Sequence, residues 1–138
     1  MRGYPDNYDP TKDKDADYMS TKQLAYFRDM LLVWRAELSR DSQETISDLQ
    51  ANSTIAADAV DQADIEYSQS LELRTRDRER KLISKIDEAL DRIRAGEFGF
   101  CEETGDPIGI KRLLARPIAT LSIEAKRRQE QQETGYAG

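Results

Sequence analysis

Cys101 is the only thiol in this 138-residue chain, and there is no histidine. Zinc takes its protein ligands from thiolates, imidazoles and carboxylates in a tetrahedral shell, and one sulfur cannot complete it. One cysteine cannot close an internal disulfide either, so nothing points to an oxidising compartment, and Asn52-Ser53-Thr54 is a chance match to a glycosylation acceptor. Around the thiol, 97-EFGFCEETGDPIGI-110 holds three glycines, Pro107, Phe98 and Phe100, a composition for tight turns and a short hairpin. The stretch 101–126 therefore looks like the frame of a small metal-binding knuckle that has lost most of its ligands. No glycine-rich phosphate loop and no nucleophile motif occurs, so an enzyme has no support.

Charge is the other chemistry available. From Asp41 to Glu66 there are seven acids and no Lys or Arg, whereas Lys111 to Arg128 holds six bases against the single acid Glu124. A formal charge of -6 argues against free nucleic acid as the main ligand, because that binding is driven by Lys and Arg displacing counterions from phosphates. The acidic stretch contains Asp58 and Asp61 three positions apart, which as bare residues read as solvated turn acids, Asp58 with the option of capping a helix. The run 74-RTRDRERK-81 is either a solvated face with i to i+4 pairs or a set of arginines, Arg74, Arg76 and Arg78, turned to a partner.

The elements that position these groups are helices. With 35% charged and 38% hydrophobic residues the chain is too polar for one thick core, and an elongated helical shape fits better. Residues 1–18, with Pro5, Pro10 and many Asp and Lys, read as a flexible arm. Ser20-Thr-Lys-Gln23 is a capping box that opens a long helix, whose Leu24, Phe27, Leu31, Trp34 and Leu38 repeat at 3, 4, 3 and 4, a coiled-coil seam. The small and turn-forming residues of 52-NSTIAADAVD-61 make a bend, and a second helix resumes at about Ala63 with Leu71, Leu82, Ile86, Leu90 and Ile93 on one side, ending before Gly96. Two such helices bury their seams against each other, which gives an antiparallel coiled-coil hairpin over 19–95 with its tip at about 52–63. Residues 96–138 then form a small globular module, with a last helix from about Ile118. Its expected packing residues are Phe98, Phe100, Ile108, Ile110, Leu113, Leu114, Ile118, Leu121 and Ile123. The class is mainly α. The polar N-terminus, and an apolar cluster no longer than 30-MLLVW-34, predict a soluble cytoplasmic protein without membrane contact.

Two runs, 69-QSLELRTRDRERKLISKIDEALDRI-93 and 98-FGFCEETGDPIGIKRLLARPIATLSIEAK-126, closely resemble the DksA family, which includes the TraR-like proteins. The likeness extends back through 17-DYMSTKQLAYFRDMLLVWRAEL-38. It implies a hairpin whose tip enters the secondary channel of bacterial RNA polymerase, and a monomeric regulator of initiation that acts with the alarmone ppGpp and has no sequence-specific DNA contact of its own. The family's usual module carries four cysteines, C-x2-C-x17-C-x2-C, and the corresponding positions are Cys101, Thr104, Ser122 and Ala125. Three of the four ligands are absent, so the chain resembles a cysteine-poor branch for which no zinc is expected.

The resemblance also assigns roles. Asp58, Asp61 and Ala63 match the tip motif placed near the polymerase's catalytic elements. Lys85, Arg116 and Lys126, with Leu82 and Arg112 nearby, match positions that contact ppGpp; guanidinium forks and ammonium groups suit pyrophosphate. The plain alternative is that these bases only balance an acidic hairpin. Cys101 is either a packed remnant of a metal site or an exposed thiol open to oxidation. The functional alternative is a degenerate relative that occupies the channel, structurally or competitively, without changing transcription.

Overall fold

The computed structural model describes residues 8–13, 16–55 and 62–137, and it is helical: α1 spans Thr21–Ile55, α2 Gln62–Ala95, α3 Ile110–Ala115 and α4 Ile123–Ala137. The chain divides into two compact units, one of residues Met1–Leu31 with Glu88–Gly138, the other of Leu32–Asp87. Among the described residues no helix is long and apolar enough to cross a membrane.

In the unit Leu32–Asp87, α1 and α2 run antiparallel. Arg35 donates from Nε to Asp87 at 2.7 Å and from a terminal amine at 3.3 Å, and Ser42 Oγ donates to Glu79 at 3.3 Å. The partner number falls by eight as α1 advances by seven, which is the register of an antiparallel pair. Leu38 and Ile86 are buried as the seam requires. Leu71, expected on the seam, is instead 43% exposed, beside exposed Tyr67 and Leu73. The reason lies in the charged run: no apolar side chain stands between Leu73 and Leu82, so no apolar neighbour follows Leu71 on its own face three or four residues on.

In the other unit, the start of α1 packs with the end of α2, α3 and α4. Ser20 caps α1 as its position predicts, accepting from the Gln23 N–H at 3.3 Å. The return arm of the box lands one residue earlier: Gln23 Oε1 accepts from the Met19 N–H at 2.7 Å, because the Ser20 N–H is taken by the Asp17 carbonyl at 3.0 Å. Met19 sits at φ +57° to make that exchange. The end of α2 is a Schellman motif, with the Gly96 N–H on the Ile93 carbonyl (3.2 Å), the Glu97 N–H on the Arg92 carbonyl (2.9 Å) and Gly96 at φ +76°.

Phe27, Leu31, Phe98, Leu113 and Ala125 are fully buried here, with Ile108 close behind. An aromatic chain runs from Tyr8 to Tyr26, Phe27 and Phe98, each ring 5.6–5.8 Å from the next. In the segment expected to be a flexible arm, Pro10 is buried, Asp9 closes a turn onto Thr11, and the Tyr8 hydroxyl donates to Asp13 at 3.0 Å.

Two expectations fail in the C-terminal part. The last helix begins at Ile123, not near Ile118, and Ile123 is 47% exposed rather than packed. The backbone of 116–122 is committed elsewhere: the Arg116 carbonyl takes the Ala119 N–H, the Thr120 carbonyl takes the Glu102 N–H at 2.9 Å, and the Leu121 carbonyl takes Arg112 Nε at 3.0 Å. α3, only six residues long, is too short for periodicity to reveal. Phe100, Ile110, Leu114, Ile118 and Leu121 are half-buried.

Candidate functional site

The loop around Cys101 is a two-sided knuckle. Phe100 and Pro107 form an antiparallel bridge, bracketed by the Cys101 N–H on the Asp106 carbonyl (2.7 Å) and the Ile108 N–H on the Gly99 carbonyl (2.8 Å), with the Gly105 N–H returning to the Cys101 carbonyl (2.8 Å). The short hairpin foreseen from the glycines is thus a single bridge. Cys101 is 3% exposed, so of its two readings the buried one holds. Burial pushes the thiol pKa up, but the Thr104 hydroxyl and the backbone N–H groups of Ser122, Thr104 and Glu103 outweigh it and bring the value to about 6.

The other three positions each have separate work. The Thr104 hydroxyl accepts from the Asp106 N–H at 3.2 Å. Ser122 caps α4, its Oγ accepting from the Ala125 N–H at 3.2 Å, and Ala125 is 0% exposed. Cys101, Thr104, Ser122 and Ala125 are therefore joined by hydrogen bonds and packing at one place.

Two residues that the sequence reading did not single out hold this knuckle. The Tyr18 hydroxyl donates to the Gly99 carbonyl at 2.6 Å and accepts from the Gly109 N–H at 2.9 Å. Burial raises the Tyr18 pKa above 10.0, against the lowering effect of the Gly109 and Ile108 backbone bonds. Arg92, near the end of α2, donates to the Phe100 carbonyl at 2.8 Å, to the Glu97 carbonyl at 3.3 Å and to the Glu102 carboxylate. The signal for Tyr18 was its place two residues ahead of the cap of α1.

The basic candidates are distributed over both units. Arg112, on α3, donates from Nε to the Leu121 carbonyl; Arg116 follows α3 and is exposed; Lys126, on the first turn of α4, reaches Gln129 at 3.4 Å. Leu82 and Lys85 belong to α2 in the unit Leu32–Asp87, with Leu82 half-buried and Lys85 exposed. Of the tip candidates, Ala63 is an exposed residue at the start of α2, and Asp58 and Asp61 lie outside the described residues. Among the described residues no three His, Cys, Asp or Glu side chains cluster as metal ligands.

Residues 23–93 match the family described as DnaK suppressor protein DksA, N-terminal domain, and residues 96–131 match the prokaryotic dksA/traR C4-type zinc finger. The RNA polymerase-binding transcription factor DksA of Caulobacter vibrioides is 52% identical over 127 residues, covering 92% of this chain and 88% of that one. Its counterpart in Escherichia coli K12 is 44% identical over 131 residues, 94% of this chain and 87% of the relative. The solved structure of transcription factor DksA2 from Pseudomonas aeruginosa superposes with a TM-score of 0.76 at 44% identity, covering 85% of this chain and 90% of that one. A C4 zinc does not fit the residues present: one sulfur remains, the two hydroxyls are engaged with backbone N–H groups, and a buried methyl stands fourth. Helix pair, knuckle and relatives agree over nearly the whole length, and the chain belongs to the DksA family.

Proposed function

We propose that this protein is a transcription regulator that binds bacterial RNA polymerase and is not an enzyme. The observation that carries the reading is a 52% identity, spanning 92% of the chain, to a relative named as an RNA polymerase-binding transcription factor. The finer reading is that the hairpin tip enters the polymerase's secondary channel with Asp58, Asp61 and Ala63 foremost. A stretch of seven acids without a base is repelled by nucleic acid and drawn to a basic or Mg²⁺-containing site. Leu82, Lys85, Arg112, Arg116 and Lys126 would contact ppGpp at the interface with polymerase. The guanidinium of Arg112 is of a kind that suits a diphosphate. The protein works as a cytoplasmic monomer without zinc; the donor set at Cys101 supports that last point.

A second reading, a channel occupant without effect on transcription, draws on the loss of three ligand positions at the knuckle. One experiment separates the two. Purified protein is competed against a transcript-cleavage factor that uses the same channel and then assayed on a ribosomal RNA promoter. Competition with lowered transcription, stronger with ppGpp, supports the regulator, whereas competition with unchanged transcription supports the occupant. Asp61→Asn should keep binding and lose regulation, and a variant that regulates equally well removes Asp61 from the mechanism.

A further inference from the structure

The loop that carries Cys101 begins at Gly99 and ends at Gly109, and one hydroxyl touches both ends. Tyr18 Oη donates to the Gly99 carbonyl at 2.6 Å and accepts from the Gly109 N–H at 2.9 Å, while its ring stands edge-on to Phe100 at 5.4 Å. The backbone around Tyr18 is itself fixed, since Met19 is held at φ +57° by its N–H bond to the buried Gln23 side chain and Ser20 is held by Asp17. Contact is also close from the loop side: a Cβ built on Gly99 would stand 2.7 Å from Met19 Sδ and 3.2 Å from the Tyr18 hydroxyl. We propose that Tyr18 is a latch, by which the segment ahead of α1 closes the Cys101 loop and fixes the point at which α3 starts.

The inference follows from what the loop otherwise lacks. Gly109 is the residue before α3, it has φ +103°, and no side chain caps that helix. Within the loop, opening is opposed by the Cys101 N–H bond to the Asp106 carbonyl and the Ile108 N–H bond to the Gly99 carbonyl, which together make the bridge, and by the Gly105 N–H bond to the Cys101 carbonyl; of these, Ile108 to Gly99 lies nearest the mouth. The phenol adds a bond to each glycine from outside the loop, so the ends cannot part without breaking one of them. Removal would leave the Gly109 N–H without this partner in a partly buried place, which costs more than the net value of a hydrogen bond, while the Gly99 carbonyl would keep the Ile108 N–H alone. Local opening then precedes global unfolding.

The test uses the full chain with Tyr18→Phe, which keeps the ring against Phe100 and deletes only the hydroxyl, and Tyr18→Ala, which deletes both. Two readouts are followed: hydrogen exchange at the Gly109 amide and modification of Cys101 by a disulfide reagent. For Tyr18→Phe the latch predicts about tenfold acceleration of both, with exchange at the Glu97 amide unchanged, because that bond closes α2 independently. Rates within twofold of the parent in Tyr18→Phe, with acceleration confined to Tyr18→Ala, would show a packing role and overturn the latch. Should neither variant fold, the parent decides alone: the latch requires the Gly109 amide to exchange at least about tenfold slower than in a free peptide, and exchange at the free-peptide rate overturns it.

Discussion

At the residue scale, the thiol of Cys101 gives the sharpest expectation. A group whose folded pKa is depressed contributes stability that is present above its unfolded value, here 9.0, and is lost as pH falls through about 6. Because the chain has no histidine, no other side chain ordinarily titrates inside that window. The unfolding free energy should therefore rise between pH 6 and 9, with a slope of at most about 1.4 kcal/mol per pH unit, and Cys101→Ser should flatten the rise. Thiolate absorbance in the native protein should show a midpoint near 6; one near 9, with a flat pH profile of stability, contradicts the hydrogen-bonded thiolate. Tyr18 works in the opposite sense, its raised pKa giving stability that is present below 10.0 and lost at more alkaline pH. Cys101 was visible in the sequence as a lone thiol among turn residues. Its donors were not, because three of them are backbone N–H groups, which sequence does not distinguish from any others. Tyr18 and Arg92 were missed for a related reason: Tyr18 acts on a carbonyl 81 residues away and Arg92 on one 8 residues away beyond the end of its helix, and no spacing rule covers either.

At the scale of elements, the long helices were legible and the short ones were not. The cap at Ser20 and the stop at Gly96 are local signals, and α1 begins and α2 ends beside them; of the expected bend, residues 52–55 belong to α1 and 56–61 lie outside the described residues. α3 and the start of α4 depend on where the loop carbonyls of 116–122 find donors, which is a tertiary matter. Two glycine substitutions separate local from tertiary cost. Gly96→Ala meets open space, so only its φ of +76° matters and about 1–2 kcal/mol should be lost. Gly99→Ala meets the same conformational penalty together with Met19 and the Tyr18 hydroxyl, and should cost about 2–4 kcal/mol. Denaturant midpoints check this, and equal losses for the two would contradict the close contact of strap and loop. The Arg35–Asp87 pair, with side chains 41% and 49% exposed, is placed to fix register more than to add stability. A double-mutant cycle should give a coupling of about 0.2–1 kcal/mol that weakens with salt.

At the scale of the whole molecule, a knuckle that has one cysteine where the family's usual module has four is held by its neighbours. Structural zinc contributes about 10 kcal/mol or more to small fingers. Here Phe27 and Phe98 pack at 5.6 Å, Leu113 and Ala125 are fully buried, and Arg92 and Tyr18 bind the loop from two sides. Thermal unfolding should be unchanged by strong chelator, and elemental analysis should find less than about one zinc per ten chains; a tightly held zinc in every chain would contradict the fit of the donor set. The family was legible from two long runs of residues, whereas the promoters such a protein acts on leave no mark in its own chain. The proposal is that this chain regulates transcription through RNA polymerase without zinc. Its most direct test is transcription in vitro from a ribosomal RNA promoter, using chelator-treated protein with and without ppGpp. The account predicts fewer transcripts with the protein and fewer still with ppGpp, and polymerase binding with unchanged transcript levels would contradict it.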